Sequence, residues 1–235
     1  KTIRLRGQIS QGLALPIPKN FDPLADIGTD CTEALGVYKY EAPIPASLAG
    51  KVKGLRPGWI PKTDETRIQT FPKVLERHQG KRFYVTEKLD GSSVSIYYKD
   101  RDFGVCSRNL DLLRDENNTI WKTTLALDLE NKLKSLGKNI ALQGEIIGFG
   151  IQGNPLKINN QTIRFFNAFD IAAHKYLGLQ EFLDICIKLD IPTVPMLDTN
   201  FLLPKTIDEL VKIATIKSTL NKETKAEGIV IRSFE

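Results

Sequence analysis

Two stretches of period-two alternation, separated by Lys88-Leu89-Asp90-Gly91, constrain this chain more than any other feature. Phe83 and Val85 alternate with Tyr84 and Thr86, and Val94, Ile96 and Tyr98 then alternate again. Successive side chains of a strand point to opposite faces, so each stretch reads as a strand. Asp90-Gly91 marks a turn or a close backbone approach. Lys88 therefore ends a strand, two residues before a carboxylate and three before a glycine. If the strand persists that far, Lys88 and Asp90 share one side. Spacing alone reads most simply as an exposed Lys–Asp pair beside a hairpin turn. A lysine whose amine is kept neutral by a nearby cation would instead be a nucleophile.

The remaining pattern mixes strands and helices. Ile3, Leu5 and Ile9 alternate like a strand, with Gly12 as a bend. Residues 41–73 are proline-rich and form an irregular connector carrying Lys62, Asp64, Glu65 and Arg67. Phe103 to Ser107 reads as a strand, with Arg108 in the following loop. Leu125, Leu129, Leu133 and Leu136 predict one helix over 122–136, stopped by Gly137. Ile140 to Ile147 is strand-like, with Glu145 near its end, and Arg164 to Ile171 is an aromatic-rich strand. Helices are predicted over 179–189 and after Thr206, whose spacing to Glu209 makes a capping box. Gly228 to Ile231 reads as a strand with Glu227 before it. No strict strand–helix–strand rhythm is present, which favours α+β with antiparallel sheets flanked by helices over a doubly wound fold.

With 235 residues and 41% hydrophobic content, a packed core is within reach. The formal net charge of +5 permits a polyanionic partner without requiring one. Cys31, Cys106 and Cys186 are odd in number and lack metal or redox spacing, which suits a reduced, intracellular setting. No apolar run reaches the length of a membrane span, so no membrane partner is expected. Both ends read as cuts in a longer chain.

Lys88-Leu89-Asp90-Gly91 resembles motif I of the covalent nucleotidyltransferases, the DNA ligases, RNA ligases and mRNA capping enzymes. Its neighbours occur in that superfamily's order. Ser107-Arg108-Asn109 resembles motif Ia, Gly144-Glu145-Ile146-Ile147-Gly148 motif III, Phe166-Asn167-Ala168-Phe169-Asp170-Ile171 motif IIIa, and Glu227-Gly228-Ile229-Val230 motif IV. Arg6 to Leu13 and Thr63 to Gln69 are similar to the RNA ligase group typified by the Deinococcus radiodurans and Naegleria gruberi enzymes, and resemble the Naegleria type in particular.

The resemblance implies a nucleotidyltransferase (ATP-grasp-like) domain over 46–235. Residues 1–45 would be the end of an OB domain or an N-terminal extension. It implies an ATP-dependent RNA ligase in which Lys88 becomes bonded to AMP. Asp90, Glu145 and Glu227 would hold Mg²⁺ or Mn²⁺ through water, with Glu145 also near the ribose. Arg108 would bind the ribose or a phosphate, Phe169 would stack on adenine, and Glu87 would read the adenine edge through backbone or side chain. Arg67 would clamp the leaving phosphates, since arginine suits fixed phosphate geometry. The partner would be nicked duplex RNA with a 3′-hydroxyl and a 5′-phosphate, acted on by a monomer. Singly, each carboxylate also reads as a solvated charge, Arg67 as a rim ion pair, and Phe169 as core alongside Phe165 and Ile171. No counterpart of the paired motif V lysines follows Glu227, from which a truncation before motif V is expected. The alternatives are a DNA ligase, a capping guanylyltransferase, or a non-catalytic RNA-binding module.

Overall fold

The computed structural model describes residues 3–5, 8–10, 29–36, 44–71 and 73–234. Contacts divide the chain into two units, Lys1–Pro43 and Ile44–Glu235. In the first, strands β1 (Ile3–Leu5) and β2 (Gln8–Ser10) form an antiparallel pair with Ile3 opposite Ser10. The bend expected at Gly12 lies outside the described residues.

The second unit contains ten strands and five α-helices among the described residues. The strands are β3 (Val52–Leu55), β4 (Arg82–Lys88), β5 (Ser92–Lys99), β6 (Asp102–Cys106), β7 (Leu110–Leu112), β8 (Ile140–Ile147), β9 (Thr162–Asp170), β10 (Lys175–Tyr176), β11 (Met196–Leu202) and β12 (Gly228–Arg232). The helices are α1 (Lys73–Arg77), α2 (Thr119–Ala126), α3 (Leu129–Leu136), α4 (Leu179–Lys188) and α5 (Ile207–Ala214).

Seven strands make one sheet in the order β10-β9-β8-β5-β6-β7-β3, and three make a second in the order β11-β4-β12. Every neighbouring pair is antiparallel. β4 and β5 therefore do not form a hairpin: the chain leaves the small sheet at Lys88 and enters the large one at Ser92. Of the two readings of Asp90-Gly91, close approach is the one realised. A Cβ on Gly91 would lie 2.2 Å from the Ile146 carbonyl oxygen and 2.7 Å from Ile147 Cγ2.

Alternation gives the large sheet two apolar faces. Val94, Ile96, Leu142, Ile146 and Phe165 pack with Trp121 of α2, Leu133 of α3 and Phe182 of α4. Each fully buried Leu, Ile or Phe contributes roughly 1.5–3 kcal/mol relative to exposure, which makes this face the rigid support of the molecule. The opposite face carries Tyr97, Ala141, Phe169 and Ile171 under Ile60 and Trp59. The small sheet packs Phe83, Ile229 and Ile231 against Leu75 of α1 and Leu210 of α5.

The single helix expected over 122–136 is two. Asp128 adopts a left-handed conformation (φ 53°) and separates α2 from α3. The break lets Trp121 of α2 and both Leu129 and Leu133 of α3 reach the same core cluster. Gly137 ends α3 in the left-handed region (φ 66°), as a helix C-terminus favours. The capping box of α5 is present, with Thr206 Oγ1 accepting from Glu209 N at 3.2 Å and Glu209 Oε2 accepting from Thr206 N at 3.3 Å. Thr206→Ala should cost about 1 kcal/mol, lowering Tm by about 2–4 °C in a thermal melt.

Candidate active site

A cavity of about 650 Å³ opens between the two sheets, within the second unit. Register brings its chemistry together. Gly228 of β12 lies opposite Lys88 of β4, which sets Glu227 beside the lysine at the end of the small sheet. Glu145 of β8 lies opposite Ser93 of β5, just past the crossing at Gly91. Lys88, from the small sheet, and Glu145, from the large one, thus line a common space.

Lys88 Nζ donates a hydrogen bond to Glu227 Oε1 in an ion pair whose partners are both part-exposed. Glu145 is half-buried, and its carboxyl is pushed up to about 7. Burial is the largest cause, and the charges of Glu227 and Asp90 add to it. The Lys88 ammonium and a hydrogen bond from the Gly91 backbone N–H oppose it. Asp90 is half-buried and does not line the cavity; it acts on Glu145 through its charge. The strand ends at Lys88, so alternation does not set the direction of Asp90.

These carboxylates suit a hard, hydrated dication. Their oxygens are the ligand type that Mg²⁺ and Mn²⁺ prefer, and mutual repulsion at Glu145 is what added positive charge would relieve. Among the described residues no three His, Cys, Asp or Glu side chains are grouped to hold a metal directly. The cavity wall also includes Asp64, Glu65 and Glu87, so its carboxylates outnumber the cations Arg67, Lys88, Arg108 and Arg232. A polyphosphate therefore enters favourably only with accompanying cations.

Glu87 is 1% exposed. Its Oε2 accepts from Thr219 N at 2.8 Å and Thr219 Oγ1 at 2.5 Å, while Oε1 is buried without a protein partner. A buried unpaired carboxylate oxygen at a cavity wall is an acceptor in need of a donor. Arg108 pairs with Asp64 at 2.6 Å, and both side chains are exposed. Arg67 is exposed at the cavity wall and has no ion-pair partner among the described residues.

Phe169 departs from expectation. It is 2% exposed, packs among Tyr97, Ala141 and Ile171, and does not line the cavity. Phe165, read as its companion on one face, sits in the cluster on the opposite face. The cause is a register shift in β9: Gly144 pairs with Phe165 but Gln143 pairs with Asn167, leaving Phe166 as the extra residue. A bulge reverses the alternation beyond it. The aromatic ring that does line the cavity is Phe166, half-buried, with the Arg232 guanidinium 5.3 Å from its centroid. Phe166→Ala should raise the KM of a substrate bound in this cavity about tenfold with little change in Tm. Phe169→Ala should instead cost about 3–5 kcal/mol in a denaturant titration. Equal effects of both on KM and Tm would contradict this division.

Arg232 was not singled out from the sequence. It pairs with Glu65, and its only sequence signal is alternation with Val230, which faces the same cavity. Thr219, too, carries no local mark of its contact with Glu87, 132 positions away.

The family profile for RNA ligase matches residues 81–235. Among solved structures, Naegleria gruberi RNA ligase with PPi is 40% identical, with a TM-score of 0.75, covering 100% of this chain and 71% of that one. A mutant of the same ligase with AMP and Mn is 38% identical, with a TM-score of 0.76 and the same coverage. Another mutant, with ATP and Mn, is 39% identical, with a TM-score of 0.76, covering 100% of this chain and 70% of that one. No curated protein matches the chain.

Proposed function

The chain belongs to the RNA ligase family, and we infer that it is an ATP-dependent RNA ligase that joins 3′-hydroxyl and 5′-phosphate RNA ends through AMP bound covalently to Lys88. The observation that carries this reading is a lysine amine at the meeting point of two sheets, on a cavity wall, among three carboxylates.

In the proposed reaction the Lys88 amine attacks the α-phosphorus of ATP. The bond to pyrophosphate breaks and a phosphoramidate forms, which divides one difficult displacement into easier ones. AMP then passes to the RNA 5′-phosphate, and the 3′-hydroxyl attacks that phosphate and expels AMP. Only the neutral amine is nucleophilic. Glu227 orients Nζ in the resting ion pair and is the nearest acceptor for the proton the amine must lose. Asp90, Glu145 and Glu227 would hold a hydrated Mg²⁺ or Mn²⁺, whose charge would disfavour the ammonium and neutralise the α-phosphate.

Glu87 presents its open oxygen to the 6-amino edge of adenine, a contact guanine cannot reproduce there. Phe166 supplies the apolar surface for the base. Arg108 exchanges Asp64 for a phosphate or the ribose, and Arg67 holds the departing pyrophosphate. We place the end of an OB domain, or an extension, before the catalytic unit. The substrate is nicked duplex RNA and the working form a monomer. Three free cysteines accord with an intracellular setting, and among the described residues no helix is long and apolar enough to cross a membrane.

Labelling with radioactive ATP or GTP, followed by incubation with a nicked RNA duplex, tests the reading. Transfer of label from ATP and sealing of the nick are expected. Labelling from GTP would favour a capping guanylyltransferase. Equal sealing of all-DNA nicks would favour a DNA ligase, and RNA binding without label would favour a binding module.

A further inference from the structure

Residues 61–67 contain no helix or strand until the 3-10 turn that begins at Ile68. Among the described residues, no backbone N–H from Lys62 to Thr66 donates to a backbone carbonyl. Residues 62–65 are nevertheless held one after another by side chains of the β6–β7 loop, β5 and β12. Lys62 Nζ donates to Asn109 Oδ1 at 3.3 Å, and Thr63 Oγ1 shares a hydrogen bond with Ser93 Oγ at 2.9 Å. Asp64 pairs with Arg108 at 2.6 Å, and Glu65 pairs with Arg232. These tethers run from the large sheet (Ser93) to the small one (Arg232), so the segment forms a wall spanning the cavity, and Arg67 stands at its end.

The four tethers are side chain to side chain, and three of them are exposed. The anchor at Pro61 is different. Its backbone carbonyl accepts hydrogen bonds from both Gln143 Nε2, at 2.8 Å, and Arg56 Nη2. Gln143 is fully buried in β8, two residues before Glu145. Arg56 also donates to Ser95 Oγ at 3.3 Å, and its backbone N–H to the Asn109 carbonyl at 2.9 Å. Two donors, Gln143 within β8 and Arg56 just past the end of β3, thus fix the point where the wall begins. Neither lines the cavity.

We infer that Gln143 and Arg56 are positioning residues for ATP: by clamping the Pro61 carbonyl they set the path of residues 62–67 and hence the placement of Arg67 on the departing pyrophosphate. This rests on the role given to Arg67 above. It has a consequence that a merely structural role lacks. Pyrophosphate departs only while lysyl-AMP forms, so joining RNA that already carries a 5′-adenylate does not need the wall. Loosening the clamp should damage one half of the reaction and spare the other.

The test uses the full-length protein with Gln143→Leu, near in volume but without donors, and the pair Arg56→Met and Arg56→Lys. Rates of lysyl-AMP formation across ATP concentrations are compared with sealing of pre-adenylylated nicked RNA. For Gln143→Leu and Arg56→Met we expect a raised ATP KM and at least about a tenfold loss in kcat/KM for lysyl-AMP formation, since small misplacements cost that much or more. Sealing of pre-adenylylated RNA should stay within about twofold, and Arg56→Lys should recover part of the first step. In a cycle with Arg67→Ala, Gln143→Leu should add little to the loss in lysyl-AMP formation. Equal losses in both steps, unchanged lysyl-AMP formation, or full additivity with Arg67→Ala would overturn the inference. Absence of lysyl-AMP on the unsubstituted protein would instead overturn the functional reading beneath it.

Discussion

Lys88→Ala should abolish the AMP adduct that the unsubstituted protein acquires from ATP and a divalent cation, and with it sealing from ATP. The expected loss is at least about a thousandfold, the scale seen when a covalent nucleophile is removed. Intact mass measures the adduct directly. Lys88→Arg should fail as completely, because a guanidinium keeps the charge beside Glu227 but has no neutral nitrogen at working pH. Unfolding is not an escape from this prediction. The Lys88–Glu227 pair is part-exposed on both sides (41% and 38%). Part-exposed pairs contribute about 0–1 kcal/mol, so Tm should barely move. Sealing of pre-adenylylated RNA should survive in both variants, since the lysine's bond-making is then bypassed. An adduct of undiminished yield on Lys88→Ala would place the nucleophile elsewhere.

Gly91→Ala should be almost as damaging by another route. The added methyl would sit 2.2 Å from the Ile146 carbonyl oxygen and 3.1 Å from Glu145 Cγ. The carbonyl cannot withdraw cheaply. Ile146 is 0% exposed and its strand is paired on both sides, with β5 and β9. The chain must therefore move at the crossing between the sheets, which shifts Lys88 relative to Glu145 and removes the Gly91 hydrogen bond to that carboxylate. We expect a loss of about 3 kcal/mol or more, a Tm lower by about 6–12 °C, and little lysyl-AMP in the fraction that remains folded. Gly54→Ala is the control, because a Cβ there meets nothing within 4 Å. Its Tm and adduct yield should match those of the unsubstituted protein. Normal stability and labelling in Gly91→Ala would mean that the two sheets adjust freely, and that their fixed relation does not position the lysine.

Much of the local structure was legible in the residues. Ile140 to Ile147 was readable as a strand over the whole extent it occupies, because Gly137 and Gly148 bound a short segment with apolar residues at both ends, Ile140-Ala141-Leu142 and Ile146-Ile147. The capping box at Thr206 was readable because its chemistry involves only residues three apart. The motif order also drew Glu87, Lys88, Arg67, Arg108, Glu145 and Glu227 into one candidate site, and all six line one cavity. Alternation placed Phe169 in the core, where it lies, while the motif resemblance drew it to adenine; alternation erred over Phe165, given the same face, because it assumes an unbroken ladder. The register shift at Phe166 depends on the fit of β9 against β8 and leaves no mark in either strand's composition. The helix over 122–136 was misread for a related reason. Its leucine spacing is continuous, yet packing against the sheet favoured two short helices hinged at Asp128.

Periodicity, end signals and motif chemistry are properties of neighbouring residues, and the sequence alone determined what depends on them: most of the element types, the antiparallel α+β class and, through the order of the motifs, the lysine that would carry AMP. Tertiary structure alone decided that the strands either side of Asp90-Gly91 join different sheets, that Glu227 meets Lys88 from 139 positions away, and that Arg232 and Thr219 belong to the site. The physical reason is that strand pairing is a contest among all available edges. A residue's own alternation says which way it points, while its partner across the ladder says what it points at.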